Sequence, residues 1–388
     1  MVNRWGWVGY MDLAIRHTIL IGIIVRIPHQ PDKQAQSQQA KNLNRSGHGG
    51  GRHGIIIVMK VLITGHQGYI GCHAVDVFQR AGHSVTGVDI GYFADCTFAK
   101  RPRADAELTT DVAGLTPRDV AGHDVVVHLA AISNDSMGEL DEDLTTNTNV
   151  AATMHLANIC KTAQVPRLLF SSSCAVYGDS HGAHADENFA TAPQTAYARS
   201  KIAAEKQLLE LGDSGFSVCI LRNATAYGHS PALRTDLVFN DFVSRLATEN
   251  KVHLLSNGSA CRPMIHCRDI ARAFLHCAEA AQEMISGQII NVGDDAQNIK
   301  VIDLAHMICT KRDDSNLVFS DNASADHRNY LVDFSKLRQV LPTFSVNYSL
   351  SAEAVYLLNA CHKRPSLADE LLAGRYSRLQ QLKNKLGL

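Results

Sequence analysis

A tyrosine and a lysine four residues apart, in Tyr197-Ala198-Arg199-Ser200-Lys201, can do proton chemistry if they share one helix face, as i and i+4 positions do. Free tyrosine has a pKa near ~10 and is a poor base at neutral pH. A nearby ammonium, or a positively charged nicotinamide ring, favours the phenolate and lowers that pKa. Lysine can also hydrogen-bond a cofactor ribose. By itself the pattern is common and equally describes an exposed helical pair. Upstream stands Phe170-Ser171-Ser172-Ser173-Cys174-Ala175-Val176-Tyr177-Gly178. It reads as a strand end, where a serine hydroxyl can reach a reacting oxygen; the bland alternative is an ordinary loop.

Proton removal of this kind needs a partner that takes the hydride, and the N-terminal part of the chain holds a place for one. Thr64-Gly65-His66-Gln67-Gly68-Tyr69-Ile70-Gly71 carries glycines three apart, after an apolar run and before a helical pattern. One glycine makes the bend, the next lets backbone approach a pyrophosphate, and the third lets helix pack on strand. The helix N-terminus offers unpaired N–H groups and partial positive charge. Asp89 follows Gly71 by 18 residues, where a carboxylate accepts bonds from an adenosine ribose and repels a 2′-phosphate, so NAD is expected over NADP.

The elements that must position these groups alternate. Val61–Thr64, Ser84–Val88, Val125–Ala130, Leu168–Ser171 and Val218–Leu221 read as strands. Helical patterns run from the glycine loop to about Ala81, and from Val150 to Ala163. Alternation predicts an α/β fold, a doubly wound parallel sheet with right-handed crossovers and ligands at the strands' carboxyl ends. After about Asn223 the pattern turns irregular, as a smaller C-terminal lobe would. The expected division is 59–222 for dinucleotide binding and 223–388 mainly for substrate, with an approximate boundary and interleaved lobes.

Composition narrows the class of partner. Lys+Arg total 37 against 38 Asp+Glu, so no basic footprint for nucleic acid or a membrane surface is expected. Ten cysteines lie scattered with no C-x-x-C pair, which points to a reduced, cytoplasmic interior rather than a disulfide scaffold or zinc site. Ile19–Val25 is far short of the roughly 20 apolar residues that span a bilayer. Pro31–Arg52 is polar and low in complexity. Residues 1–58 therefore read as a disordered or mis-assigned extension, with Met59 as the natural start.

Taken in order, the glycine loop, Asp89, His128-Leu129-Ala130-Ala131, Asn149-Val150, the serine–Val-Tyr-Gly segment and Y-x-x-x-K make the chain from Met59 onward resemble the extended short-chain dehydrogenase/reductase superfamily. In particular it resembles the UDP-glucose 4-epimerase-like branch, the NAD-dependent epimerase/dehydratase family. The resemblance implies a Rossmann-type fold and NAD as cofactor. It also implies a nucleotide-diphosphate sugar as substrate, no metal, and a homodimer. By motif position it implies Ser173, Tyr197 and Lys201 as catalytic residues. Gly65, Gly68, Tyr69, Ile70, Gly71, Asp89, Asp111, Val112, Leu129, Ala130, Ala131 and Asn149, with Tyr197 and Lys201, would line the cofactor groove. Asn223, Arg262 and Arg328, with Ser173, would meet the sugar diphosphate, arginine being suited to bidentate phosphate contacts.

The departures bear on the reaction. Sugar 4,6-dehydratases carry an Asp-Glu pair after the catalytic Ser/Thr; Cys174 and Ala175 stand there in this chain, leaving no evident general acid for elimination. The resemblance thus implies reversible oxidation at C4 of a nucleotide-linked hexose, with hydride returned to the other face. A 4-ketoreductase or dehydratase is the alternative enzyme, and a dinucleotide-binding regulator the non-enzymatic one. Retention of both Tyr197 and Lys201 argues against a regulator.

Overall fold

In the strand Lys60–Thr64, Val61 and Ile63 face one side and Leu62 the other, as a period of two requires. The same division runs through Val125–His128, whose Val125 and Val127 oppose Val126, and through Arg167–Ser173. One face packs on helices Gly71–Arg80 and Cys267–Glu279 through Phe78 and Phe274. The other packs on Ala152–Thr162 and Ala196–Leu211 through Leu156 and Leu208. Burial of one such aliphatic or aromatic side chain is worth about 1.5–3 kcal/mol, so strands apolar on both faces are stable only between two helical layers. The computed structural model describes residues 58–324 and 328–386. The expectation for the N-terminal extension falls, up to residue 57, outside the described residues.

Seven parallel strands form the sheet, in the order Gln288–Val292, Ser217–Asn223, Arg167–Ser173, Val125–His128, Lys60–Thr64, Ser84–Asp89, Ala106–Thr109. This is a Rossmann-type doubly wound sheet. Its order reverses beside Lys60–Thr64, where such folds bind ligands. The glycine loop leaves that strand and Ser173 ends another, so both lie at the sheet's carboxyl edge. The chain returns to this sheet after residue 222, since Gln288–Val292 pairs with Ser217–Asn223. A second core gathers Phe239, Leu304 and Leu357 from helices Val238–Glu249, Val301–Cys309 and Leu350–His362.

Two boundaries differ from expectation for local reasons. The fourth strand stops at His128, because the next two backbone amides turn toward Thr64: Leu129 N–H donates to its carbonyl and Ala130 N–H to its Oγ1. The helix expected from Val150 begins as a wide π-type turn, Asn147–Ala151, before regular helix starts at Ala152. Such turns cluster at functional sites, and Asn149 lies in this one. Among the described residues no helix is long and apolar enough to cross a membrane.

Candidate active site

The glycine loop is a cradle that side chains would fill. Gly65 has φ +70°, and a Cβ there would lie 2.8 Å from Ala130 N. At Gly71 a Cβ would lie 2.1 Å from Gly65 O, so helix and turn touch backbone to backbone. Gly68 N–H donates to Gly65 O at 2.9 Å and closes the turn. The result is a tight bend feeding a helix N-terminus, the arrangement that accepts a pyrophosphate. Tyr69 lies in the loop, but its hydroxyl is spent elsewhere: it donates to Gly228 O at 2.6 Å and accepts from Asn240 Nδ2. Only the backbone of Tyr69 and Ile70 is left to face a phosphate.

Asp89 ends the second strand, beside the loop. Its Oδ2 accepts from Gln67 N–H at 3.1 Å and its Oδ1 from Gly91 N–H at 2.9 Å. Each oxygen keeps a lone pair for ribose hydroxyls. Asp111 is exposed and caps the short turn Val112–Gly114 by accepting from Ala113 N–H at 2.8 Å. Val112 is buried under it. Leu129, Ala130 and Ala131 form the bend at the end of the fourth strand. Asn149, buried, braces that bend: its Oδ1 accepts from Ile132 N–H, and its Nδ2 donates to Ile132 O and Ser200 Oγ. With these bonds made, Asn149 shapes the groove and locks it to the Tyr197 helix. Behind them His128 bridges Thr64 Oγ1 at 2.7 Å and Thr153 Oγ1 at 2.8 Å. Burial pushes its imidazole down to about 3, with the charge of Lys201 adding to the effect, so the ring is neutral.

Helix Ala196–Leu211 carries Tyr197 and Lys201 and starts at Thr195, whose side chain accepts from Ala198 N–H. Lys201 is buried; its Nζ donates to Ser171 O at 2.8 Å and lies 4.7 Å from the Phe170 ring centroid and 5.7 Å from that of Tyr197. Ser173 accepts from Ala175 N–H at 3.1 Å and shares a hydrogen bond with Tyr197. Ser173, Tyr197 and Lys201 thus meet at one strand end. Within the protein itself burial raises the Tyr197 phenol. The Ser173 bond and the Arg234 charge pull it down, while Asp135 and Tyr330 push it up. Burial lowers Lys201 to about 8, against the opposing pull of Glu205. Desolvation works against the charged form of both groups, and a positive charge on a bound cofactor would join Ser173 and Arg234 in favouring the phenolate.

The residues assigned to the sugar diphosphate surround this pair. Asn223 pairs in register with Ser173. Its Nδ2 donates to Ser171 Oγ and Ser172 O, while its Oδ1 is buried without a hydrogen-bond partner. Arg262 donates to Cys261 O and lies 5.4 Å from the Tyr330 ring. Arg328 is ion-paired with Asp135.

Several participants had no motif to mark them. Asp135 accepts from Thr195 Oγ1 at 2.6 Å, holds Arg328, and acts electrostatically on Tyr197. Gly138 packs tightly on the Tyr197 helix, since a Cβ there would lie 3.2 Å from Tyr197 N and the helix start would have to give. Buried Arg234 is paired with Asp236 at 2.7 Å and donates to Ser133 Oγ. An acid in the loop after a parallel strand was the available signal for Asp135; Arg234 had none. Cys174 is buried, with its thiol on Arg222 O at 3.2 Å and pushed up by burial. It is a packed, inert thiol and no substitute for an acid. No group of three or more His, Cys, Asp or Glu among the described residues could hold a metal ion.

The model of the NAD dependent epimerase/dehydratase family matches residues 61–293. The chain is similar to the uncharacterised UDP-glucose epimerase YtcB of Bacillus subtilis, 27% identical over 322 residues that cover 77% of this chain and 98% of that protein. Among solved structures it is similar to MoeE5 in complex with UDP-glucose and NAD, at 25% identity and a TM-score of 0.68 over 78% of this chain and 99% of that one. It shares its fold with the NAD dependent NDP-hexosamine 5,6-dehydratase TunA, at 20% identity and a TM-score of 0.71 over 79% and 98%.

Proposed function

Because the family model covers more than half of it, this chain belongs to the NAD dependent epimerase/dehydratase family, and from that premise we propose that it epimerises a nucleotide-activated sugar at C4. The observation that carries the reading is the convergence of Ser173, Tyr197 and Lys201 at one strand end, with no acid at positions 174 and 175. Tyr197 takes the C4 hydroxyl proton while Ser173 hydrogen-bonds the oxygen. NAD, held by the glycine loop, Asp89 and Lys201, would supply the hydride acceptor and donor. Lys201 holds the nicotinamide ribose and stabilises the phenolate. Asn223, Arg262 and Arg328 hold the nucleotide diphosphate while the keto-sugar presents its other face. YtcB and MoeE5 support the choice of a UDP-sugar by their names alone. A homodimer in the cytoplasm belongs to the same proposal.

A dehydratase is the second reading. It is favoured by Asp135, whose carboxylate acts on Tyr197 from a different loop than the one that carries the acid in dehydratases. Incubating the protein with a panel of UDP- and dTDP-hexoses and resolving products by chromatography tests both. C4 epimers with no net change in NAD support epimerisation. A 4-keto-6-deoxy product would establish the dehydratase instead, and an inert panel would overturn both.

Cofactor choice gives a further prediction. Asp89 keeps both oxygens at the ribose position, so NAD is expected to bind at least about tenfold more tightly than NADP, a difference of about 1.4 kcal/mol. Asp89→Asn should narrow that ratio by recovering NADP binding. Calorimetric titrations showing equal affinities for the two cofactors in the unmodified protein would refute the role of Asp89.

A further inference from the structure

Helix Gly71–Arg80 also borders a cavity of about 760 Å³. None of the residues assigned to cofactor, catalysis or sugar lines it. Its walls come from that helix, the Lys100–Arg103 segment, the turn at His229, the start of helix Cys267–Glu279, and Tyr348 to Tyr356. Its size suits a ligand of nucleotide scale, since small-molecule sites run from about 300 to 1,000 Å³.

The lining is strongly cationic. Arg80, Lys100, Arg101, Arg103 and Arg268 stand against two carboxylates, Asp76 and Glu353. Both acids are committed. Asp76 accepts from Arg80 at 2.8 Å and Arg268 at 2.6 Å. Glu353 accepts from His229 N–H at 2.7 Å and faces His266 Nε2 at 3.4 Å. Among the described residues the Lys100 ammonium and the Arg103 guanidinium have no such anion, and the walls of a cleft concentrate their field. Guanidinium and ammonium groups of this kind hold phosphate oxygens through charge-assisted bonds.

Aromatic rings add to the lining. His266 is buried and lines the cavity, its Nε2 facing Glu353 at 3.4 Å without a hydrogen bond. Tyr348 stacks on His266 with ring centroids 4.0 Å apart and 14° between planes. Tyr356 stands edge-on to His229 and is 59% exposed, an aromatic face that a base can cover.

We propose that this cleft is a second binding site, separate from the dinucleotide groove, for a phosphate-bearing small molecule held by Lys100 and Arg103. The site does not depend on the epimerase reading. Arg101 links it to the groove, donating from Nη1 to Gln67 Oε1 of the glycine loop at 2.8 Å.

The test is calorimetric titration of the full chain, saturated with NAD, with inorganic pyrophosphate. Saturable binding is expected to weaken at least about tenfold in the Lys100→Ala/Arg103→Ala variant, which removes charge-assisted bonds from exposed side chains. Arg328, assigned to the sugar diphosphate, accounts for any pyrophosphate bound there, so the binding that survives Arg328→Ala is the part expected to be lost in the double variant. ADP, titrated in the same way, distinguishes the sources: weakening by Tyr356→Ala assigns a nucleotide, and indifference assigns a phosphate without a base. No saturable pyrophosphate binding, or binding lost in Arg328→Ala but kept in the double variant, would overturn the site. Circular dichroism of each variant separates loss of binding from loss of fold.

Discussion

Tyr197→Phe is expected to lower turnover of nucleotide sugar by about 10²–10⁴-fold, the contribution of a positioned general base, while NAD still binds. The substitution removes one oxygen and keeps the ring in its packing. Cofactor contacts assigned to the glycine loop, Asp89 and Lys201 stay in place. Ser173→Ala should fall between the two, because Ser173 bonds the phenol but accepts no substrate proton. Stopped-flow or product assays measure the rate, and calorimetry measures NAD affinity. A Tyr197→Phe protein that turns over at the unmodified rate would remove Tyr197 from the reaction and favour a binding protein on this fold. The pH profile adds a check. Burial holds the phenol above its ordinary value, and a positive charge must offset that for the base to form. Removing the Asp135 charge by Asp135→Asn should therefore shift the limb assigned to Tyr197 toward lower pH, since Asp135 opposes the phenolate.

Legibility in the sequence followed local physics. Val61, Leu62 and Ile63 are apolar in succession, so a strand buried on both faces could be read directly, and the glycines beside it could be read by spacing. Ala106–Thr109 could not: its Ala-Glu-Leu-Thr alternation is only four residues long and largely exposed at the sheet edge. Gln288–Val292 lay inside a region read as the second lobe, and only tertiary pairing with Ser217–Asn223 places it in the sheet. In the site, Tyr197 and Lys201 were visible because one helix carries both. Asp135, Arg234 and Glu205 were not, because each acts through a partner distant in sequence: Asp135 with Arg328, Arg234 with Ser133, Glu205 with Ser172 and Arg222. The direction of the Tyr197 shift was also hidden, because desolvation depends on what packs around the ring and not on the helix that bears it.

Glu205→Ala is expected to destabilise the fold by about 3–5 kcal/mol, the cost of leaving a buried ion without its partner. Glu205 and Arg222 are both almost fully buried. The guanidinium is held by three hydrogen bonds, Nε to Oε1 at 3.1 Å and to Oε2 at 3.2 Å, and Nη2 to Oε2 at 2.7 Å. Ser172 also donates to Glu205, and Arg222 Nη1 donates to Tyr177 Oη at 3.1 Å. Removing the carboxylate strands the guanidinium and Ser172 together. Replacing both ions, Glu205→Leu with Arg222→Leu, should recover much of the loss, because an apolar pair carries no desolvation penalty. Urea midpoints around a double-mutant cycle measure the coupling; additive single and double variants would show that the pair contributes nothing together. The same carboxylate sits on the catalytic helix itself, one turn after Lys201. Glu205 is four residues after Lys201 and favours its charged form, against burial that lowers it to about 8. Glu205→Gln removes that support, so Lys201 should lose its proton at a still lower pH. Turnover that requires the ammonium falls as pH rises through the lysine's folded pKa, and in Glu205→Gln this fall should begin at a lower pH. The sign for stability is opposite. Unfolded lysine, pKa near ~10.4, binds a proton that the folded one has released, so between about 8 and that value stability rises with pH. A Glu205→Gln enzyme whose alkaline limb stays where it was would show that Glu205 supports the fold alone and does not tune Lys201.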